Sequence, residues 1–234
     1  MSVRIRWLAG LLGLGILLAL LPWLDLWLAG LCYRPGAGFF LADAWPARAL
    51  YVLVPWMVRV LAAMLLLALA ISFTRPAARR WRAPAAFALL SLALGPGLIA
   101  NTVFKDHWGR PRPEQIVPFG GSMQFVPAPL PSRQCDRNCS FVSGHAAAGF
   151  WLIAGAWIWP RRQRAWLAGG IAFGALVGLA RMLQGGHFAS DVLGALAVVW
   201  GCNALLYRWM SARGWSPMLS SGDIPAIPIR NPGS

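Results

Sequence analysis

Apolar residues run along the chain in blocks of about twenty, broken by short connections that carry Arg, Pro and Gly. Six blocks can be drawn, at 7–31, 50–73, 84–104, 145–160, 165–183 and 188–207. Each is long enough, or nearly so, for a helix to cross about 30 Å of hydrocarbon, although Pro160 stops the fourth early. The pattern predicts an all-α polytopic membrane protein, a bundle of six transmembrane helices forming one domain over residues 1–213. A long outer loop, 105–144, interrupts it, and the Pro-, Gly- and Ser-bearing segment 214–234 is expected to be a disordered tail. The first block follows Arg4 and Arg6 as a signal peptide would. No small-residue cleavage site follows it, so it reads as an uncleaved span.

Composition agrees: 58% of the residues are hydrophobic, far above the range of a soluble domain. The formal charge of +14 invites a nucleic-acid reading, but the arginines sit in short clusters between apolar blocks, where topology signals lie. No nucleic-acid partner is expected; the partner is the lipid bilayer, with an attraction for anionic lipid. Arg4 and Arg6, Arg75 to Arg82, Arg161 to Arg164, and Arg208 with Arg213 all fall on one side of a six-span chain. The positive-inside rule makes that side cytoplasmic, with both termini there and the opposite face periplasmic, in a bacterial inner membrane. Within the spans, Arg59 reads as a snorkelling cation near an outer end, and Asp25 is similarly placed. Cys135 and Cys139 share the outer loop, where they either form a disulfide in an oxidising compartment or stay unpaired.

The chemistry-bearing residues gather on the outer side. All three histidines, His107, His145 and His187, fall there, and so does the only lysine, Lys105. Ser143-Gly144-His145 opens the fourth span, where free backbone N–H groups and the helix dipole favour an anion. Lys105, Arg112 and Arg181 add three positive charges suited to phosphate oxygens. A helix starting just after Gly186 would put His187 and Asp191 on one face at i,i+4, with the carboxylate orienting one imidazole nitrogen and leaving the other to act. Phosphoryl transfer uses such a set: one histidine attacks phosphorus and the other protonates the departing oxygen.

Lys105 with six residues between it and Arg112-Pro113, then Ser143-Gly144-His145, then Arg181 with five residues between it and His187 and three between His187 and Asp191, together resemble the type 2 phosphatidic acid phosphatase superfamily. Two positions depart from the family pattern: Val142 replaces a proline before the Ser-Gly-His, and Ala180 replaces a serine before Arg181. The resemblance implies a metal-independent phosphatase needing no cofactor. In it His187 forms a phosphohistidine, Asp191 orients it, His145 is the general acid, and Lys105, Arg112, Ser143, Gly144 and Arg181 hold the phosphate. His107 and Arg110 have no role by this likeness; each either meets the lipid headgroup or is a solvated loop residue.

The substrate implied is a phosphate of a membrane lipid. The segments Phe119-Gly120-Gly121 and Cys135 to Gly144 look like those of bacterial lipid A phosphatases, with Arg133 and Arg137 available to further headgroup anions or simply solvated. Undecaprenyl pyrophosphate and phosphatidylglycerol phosphate are the alternatives. An intramembrane serine hydrolase using Ser143 and His187 would leave three cations without work, and a lipid-phosphate binder would need no histidine chemistry. A metal held by the histidines and Asp191 would be repelled by Lys105, Arg112 and Arg181.

Overall fold

The computed structural model describes residues 22–219, together with Ala9, Gly10, Gly13 and Ile16. Most of the expected first span, and the tail beyond 219, lie outside the described residues. Among those described, six helices follow in order: α1 (Pro22–Gly30), α2 (Trp45–Thr74), α3 (Pro76–His107), α4 (Gly144–Ile158), α5 (Gln163–Leu183) and α6 (Ala189–Ala212). Helices α2, α3, α5 with its leading turn from Pro160, and α6 are long and apolar enough to cross a membrane; α4 is a shorter apolar helix. A two-residue antiparallel hairpin, β1 (Tyr33–Arg34) with β2 (Gly38–Phe39), lies between α1 and α2.

Helix α2 is the outward-facing element. It starts at Trp45, ahead of the expected position 50, because Pro46 in its first turn has no N–H to leave orphaned. Its 30 residues bury only Ala47, Val54 and Ser72. Leu53, Trp56, Met64, Leu67 and Phe73 are all more than half exposed, a stripe that hydrocarbon solvates and water does not.

Helix α4 is the inverse. From Gly144 to Ile158 it is almost wholly buried, with Ala146, Ala147, Phe150, Ile153, Ala154 and Trp157 forming the centre of the core against Ala195, Val199 and Trp200 of α6. Close approach to α5 is made by small residues at four-residue spacing, Gly170, Gly174 and Gly178. A Cβ on Gly174 would lie 2.0 Å from the Phe150 ring, and one on Gly178 would lie 2.4 Å from a Val192 methyl.

Helix α3 changes winding along its length. It begins as a 3-10 turn, becomes an α-helix over Arg82–Leu92, and widens to π winding over Ala93–Phe104 before its last turn, Lys105–His107. Pro96, inside the widened part, cannot donate a backbone hydrogen bond. Its own carbonyl accepts from the Asn101 side chain at 2.7 Å. That places Asn101 against the start of α4, where a Cβ on Gly144 would meet Asn101 Oδ1 at 2.2 Å.

The loop ends of the helices converge at one pole. There the 184–187 turn is covered by the hairpin: a Cβ on Gly185 would lie 2.4 Å from the Phe39 ring, and Phe39 packs edge-on against Tyr33 and Phe119. At the opposite pole, the Leu219 N–H donates to the Ile158 carbonyl at 2.9 Å and Leu219 is buried. Within the expected tail, Gly214 to Ser216 are exposed while Pro217 and Leu219 are packed against the bundle.

Candidate active site

Asp191 is the fixed point. Helix α6 begins at Ala189 rather than just after Gly186, so His187 lies in the linker and not on the helix. Asp191 stands in the helix's first turn and accepts the Phe188 N–H at 2.8 Å, satisfying one of the donors every helix start leaves free. The same Oδ2 accepts from Ser140 Oγ at 2.5 Å, and Oδ1 accepts from Arg110 Nη1 at 2.5 Å. His187 Nδ1 faces this carboxylate at 3.6 Å, an ion-pair approach just beyond hydrogen-bond length, and is otherwise unpartnered. The two side chains expected to pair along one helix face thus meet across the linker and the helix start, at ion-pair rather than hydrogen-bond distance. The ring's other nitrogen points away from Asp191.

His187 is 1% exposed. Burial pushes its pKa down to about 4, against the upward pull of Asp191 and with further lowering by Lys105 and Arg181, so the imidazole is neutral at neutral pH. A neutral ring is what a nucleophile must be.

Three cations surround the histidines, each from a different element. Lys105 ends α3, Arg112 lies in the following loop, and Arg181 is in the last turn of α5; Lys105 lies within electrostatic reach of both arginines and of Asp191. Their hydrogen bonds go to neutral groups. Lys105 Nζ donates to Asn138 Oδ1 and Arg112 Nη2 to the Asn138 carbonyl, each at 2.8 Å. Arg181 Nη1 donates to Gln184 Oε1, and its Nε is buried with no partner. Among the described residues their one ion pair is that of Arg112 with Glu114, at 4.0 Å, while Asp106 and Asp191 lie within electrostatic reach of Lys105. Positive charge here is left largely uncompensated, as an anion site requires.

Ser143 caps α4, its Oγ accepting the Ala146 N–H at 3.4 Å, and Gly144 follows against Asn101. His145 stacks on the Tyr51 ring with centroids 4.6 Å apart, and the Arg181 guanidinium carbon is 4.8 Å from that ring's centroid. The structure therefore gathers Lys105, Arg112, Ser143, Gly144, His145, Arg181, His187 and Asp191 at one pole. A groove of about 410 Å³ runs to this pole between Val54, Pro55 and Val58 of α2 and Pro96 and Gly97 of α3, ending at Lys105 and His145.

Other residues fall differently from expectation. His107 is exposed, with Nδ1 3.1 Å from the carbonyls of Thr102 and Val103 in its own helix. Arg110 is no solvated loop residue: it is fully buried and bridges Asp191 to Asp25. Asp25 is therefore paired with Arg110 and not with Arg59, which is exposed and lies over Trp56 at 4.9 Å. Cys135 and Cys139 are joined in a disulfide. Asn138, inside that small ring, and Tyr51 had no sequence signal: one reads as a turn residue and the other as an interfacial aromatic. Among the described residues no group of three or more His, Cys, Asp or Glu is arranged to hold a metal ion.

The profile of the PAP2 superfamily matches residues 84–215. A lipid A 4′-phosphatase of Francisella tularensis subsp. novicida is 46% identical over 136 residues, 55% of this chain and 61% of that protein. A lipid A 4′-phosphatase of Rhizobium leguminosarum is 42% identical over 107 residues, 45% of this chain and 46% of that protein. A lipid A 1-phosphatase of Rhizobium johnstonii is 34% identical over 102 residues, 43% of this chain and 38% of that protein. The matched stretches thus span about two-fifths to three-fifths of these relatives' lengths. No solved structure matches.

Proposed function

The chain belongs to the PAP2 superfamily, and from that membership we propose that it is a membrane lipid phosphatase that removes the 4′-phosphate of lipid A at the periplasmic face. The observation that carries the reading is the contrast among the cations. Arg110 is neutralised by two carboxylates, whereas Lys105, Arg112 and Arg181 stand beside two histidines with mainly neutral partners. Those three hold the phosphate dianion, with the first-turn N–H groups after Ser143 and Gly144. They supply the positive charge that a metal would otherwise bring.

The neutral His187 Nε2 attacks phosphorus, forming the N–P bond as the P–O bond to the sugar breaks. His145 gives its proton to the departing oxygen. Water, deprotonated by His145, then attacks the phosphohistidine, releasing inorganic phosphate and restoring both rings. The apolar-walled groove that ends at Lys105 and His145 supports a substrate whose tails stay in the bilayer. The periplasmic assignment is supported by the arginine clusters at the opposite pole and by the loop disulfide, which belongs to an oxidising compartment. The 4′ position is favoured over the 1 position because relatives named for it reach 46% and 42% identity against 34%.

Purified protein should release phosphate from lipid A, with mass spectrometry showing loss of the 4′-phosphate first. Faster release from undecaprenyl pyrophosphate or phosphatidylglycerol phosphate would move the assignment to that lipid. Release from none of the three would end the phosphatase reading.

The buried imidazole sets the acid limb of the rate profile. His187 is neutral above about 4 and is protonated as the pH falls through that value, so loss of the nucleophile should lower kcat/KM of the free enzyme tenfold per pH unit only below about 4. A limb near 6.5, where an ordinary histidine titrates, would show that the ring is not desolvated.

A further inference from the structure

Arg110 is fully buried, and all three of its guanidinium nitrogens donate inside the protein. Nη1 donates to Asp191 Oδ1 at 2.5 Å and Ser190 Oγ at 2.8 Å, Nη2 to Asp25 Oδ2 at 2.8 Å, and Nε to the Val126 carbonyl at 2.8 Å. Its guanidinium carbon lies 4.4 Å from the Phe188 ring centroid. Asp25, on α1, is itself 1% exposed and accepts the Ser190 N–H at 3.0 Å as well as the Ser190 hydroxyl. A guanidinium so occupied has nothing to offer a phosphate.

What it offers is charge and direction at Asp191. Two carboxylates and one guanidinium leave the cluster with a net charge of −1, set against His187 Nδ1. When Nε2 bonds to phosphorus the ring becomes cationic, and a buried cation is stabilised by the net charge of its surroundings rather than by one carboxylate alone. Were Asp25 absent, Arg110 would cancel Asp191, and the ring would acquire its charge beside a neutral pair.

We propose that Asp25 and Arg110 are positioning residues for the phosphoryl transfer: Arg110 holds the Asp191 carboxylate toward His187, and Asp25 restores the negative charge that Arg110 would otherwise remove. The inference rests on His187 being the nucleophile. The alternative is that the bridge merely anchors α1 to the bundle, since buried ion pairs often add little beyond specificity of packing.

The two differ in how paired substitutions combine. Asp25→Asn should lower kcat for lipid A about 10- to 100-fold with KM within about twofold, and Asp25→Glu should recover part of the loss. The double variant Asp25→Asn/Arg110→Gln returns the cluster to a net −1 and should turn over faster than Asp25→Asn alone. An anchor gives the opposite order, with the double variant no better than the single and the melting temperature falling in place of kcat. If Asp25→Asn does not fold, the double variant, which buries no unpaired cation, decides: kcat above about a hundredth of wild type supports the proposal and kcat below it overturns it. Failure of both variants to fold assigns the network to stability alone and also overturns it. Inactive wild-type protein would instead overturn the phosphatase reading and this inference with it, whereas active wild type matched by Asp25→Asn would sink this inference only.

Discussion

Replacing His187 with glutamine is expected to reduce kcat for lipid A by about a thousandfold or more, with no phosphorylated protein trapped by acid quench. The substitution removes the atom that forms the bond to phosphorus and little else. Glutamine is uncharged and of similar reach, so the neutral state of the buried position, the Asp191 contacts to Ser140, Arg110 and the Phe188 N–H, and the start of α6 all survive. Vanadate binding by Lys105, Arg112 and Arg181 should therefore persist while turnover is lost. A His187→Gln enzyme keeping more than about a tenth of its rate would dismiss a covalent histidine intermediate.

His145→Ala should cost about 100- to 10,000-fold with lipid A, because the departing sugar oxygen needs a proton and His145 stands at the end of the groove to give it. The loss should shrink to about tenfold or less with p-nitrophenyl phosphate, whose leaving group departs without one. This leaving-group dependence separates proton donation from phosphate binding, which would cost both substrates alike. Equal losses would reassign His145 to holding the phosphate. The stacking on Tyr51, itself under the Arg181 guanidinium, explains how a ring on a helix's first turn is kept in one orientation.

Much of this pole was legible in the chain. The cations and histidines could be read because the chemistry fixes residue types at fixed spacings, and the spans because hydrocarbon thickness fixes their length. What could not be read was which charges would be buried. Arg110 and Arg112 are two residues apart and each is followed by a proline, yet one faces the site and the other is sealed beneath it. The difference lies in partners 81 and 85 residues away, Asp191 and Asp25, which no local pattern encodes. The sequence places the start of helix α6 one or two residues too early for a related reason. Glycines 185 and 186 signal a break, but the true start is set by Asp191 accepting the Phe188 N–H. The widened winding of α3 around Pro96 was likewise silent, since its stabilising contact is a side chain, Asn101, one π turn ahead.

The region recognisable by likeness opens at residue 84, well after Asp25. A fragment trimmed to that recognisable region would keep every catalytic side chain and still strand a guanidinium in the interior without its second counter-ion. The working unit of this protein is wider than the stretch by which it is recognised, and grafting or minimising it should begin no later than α1.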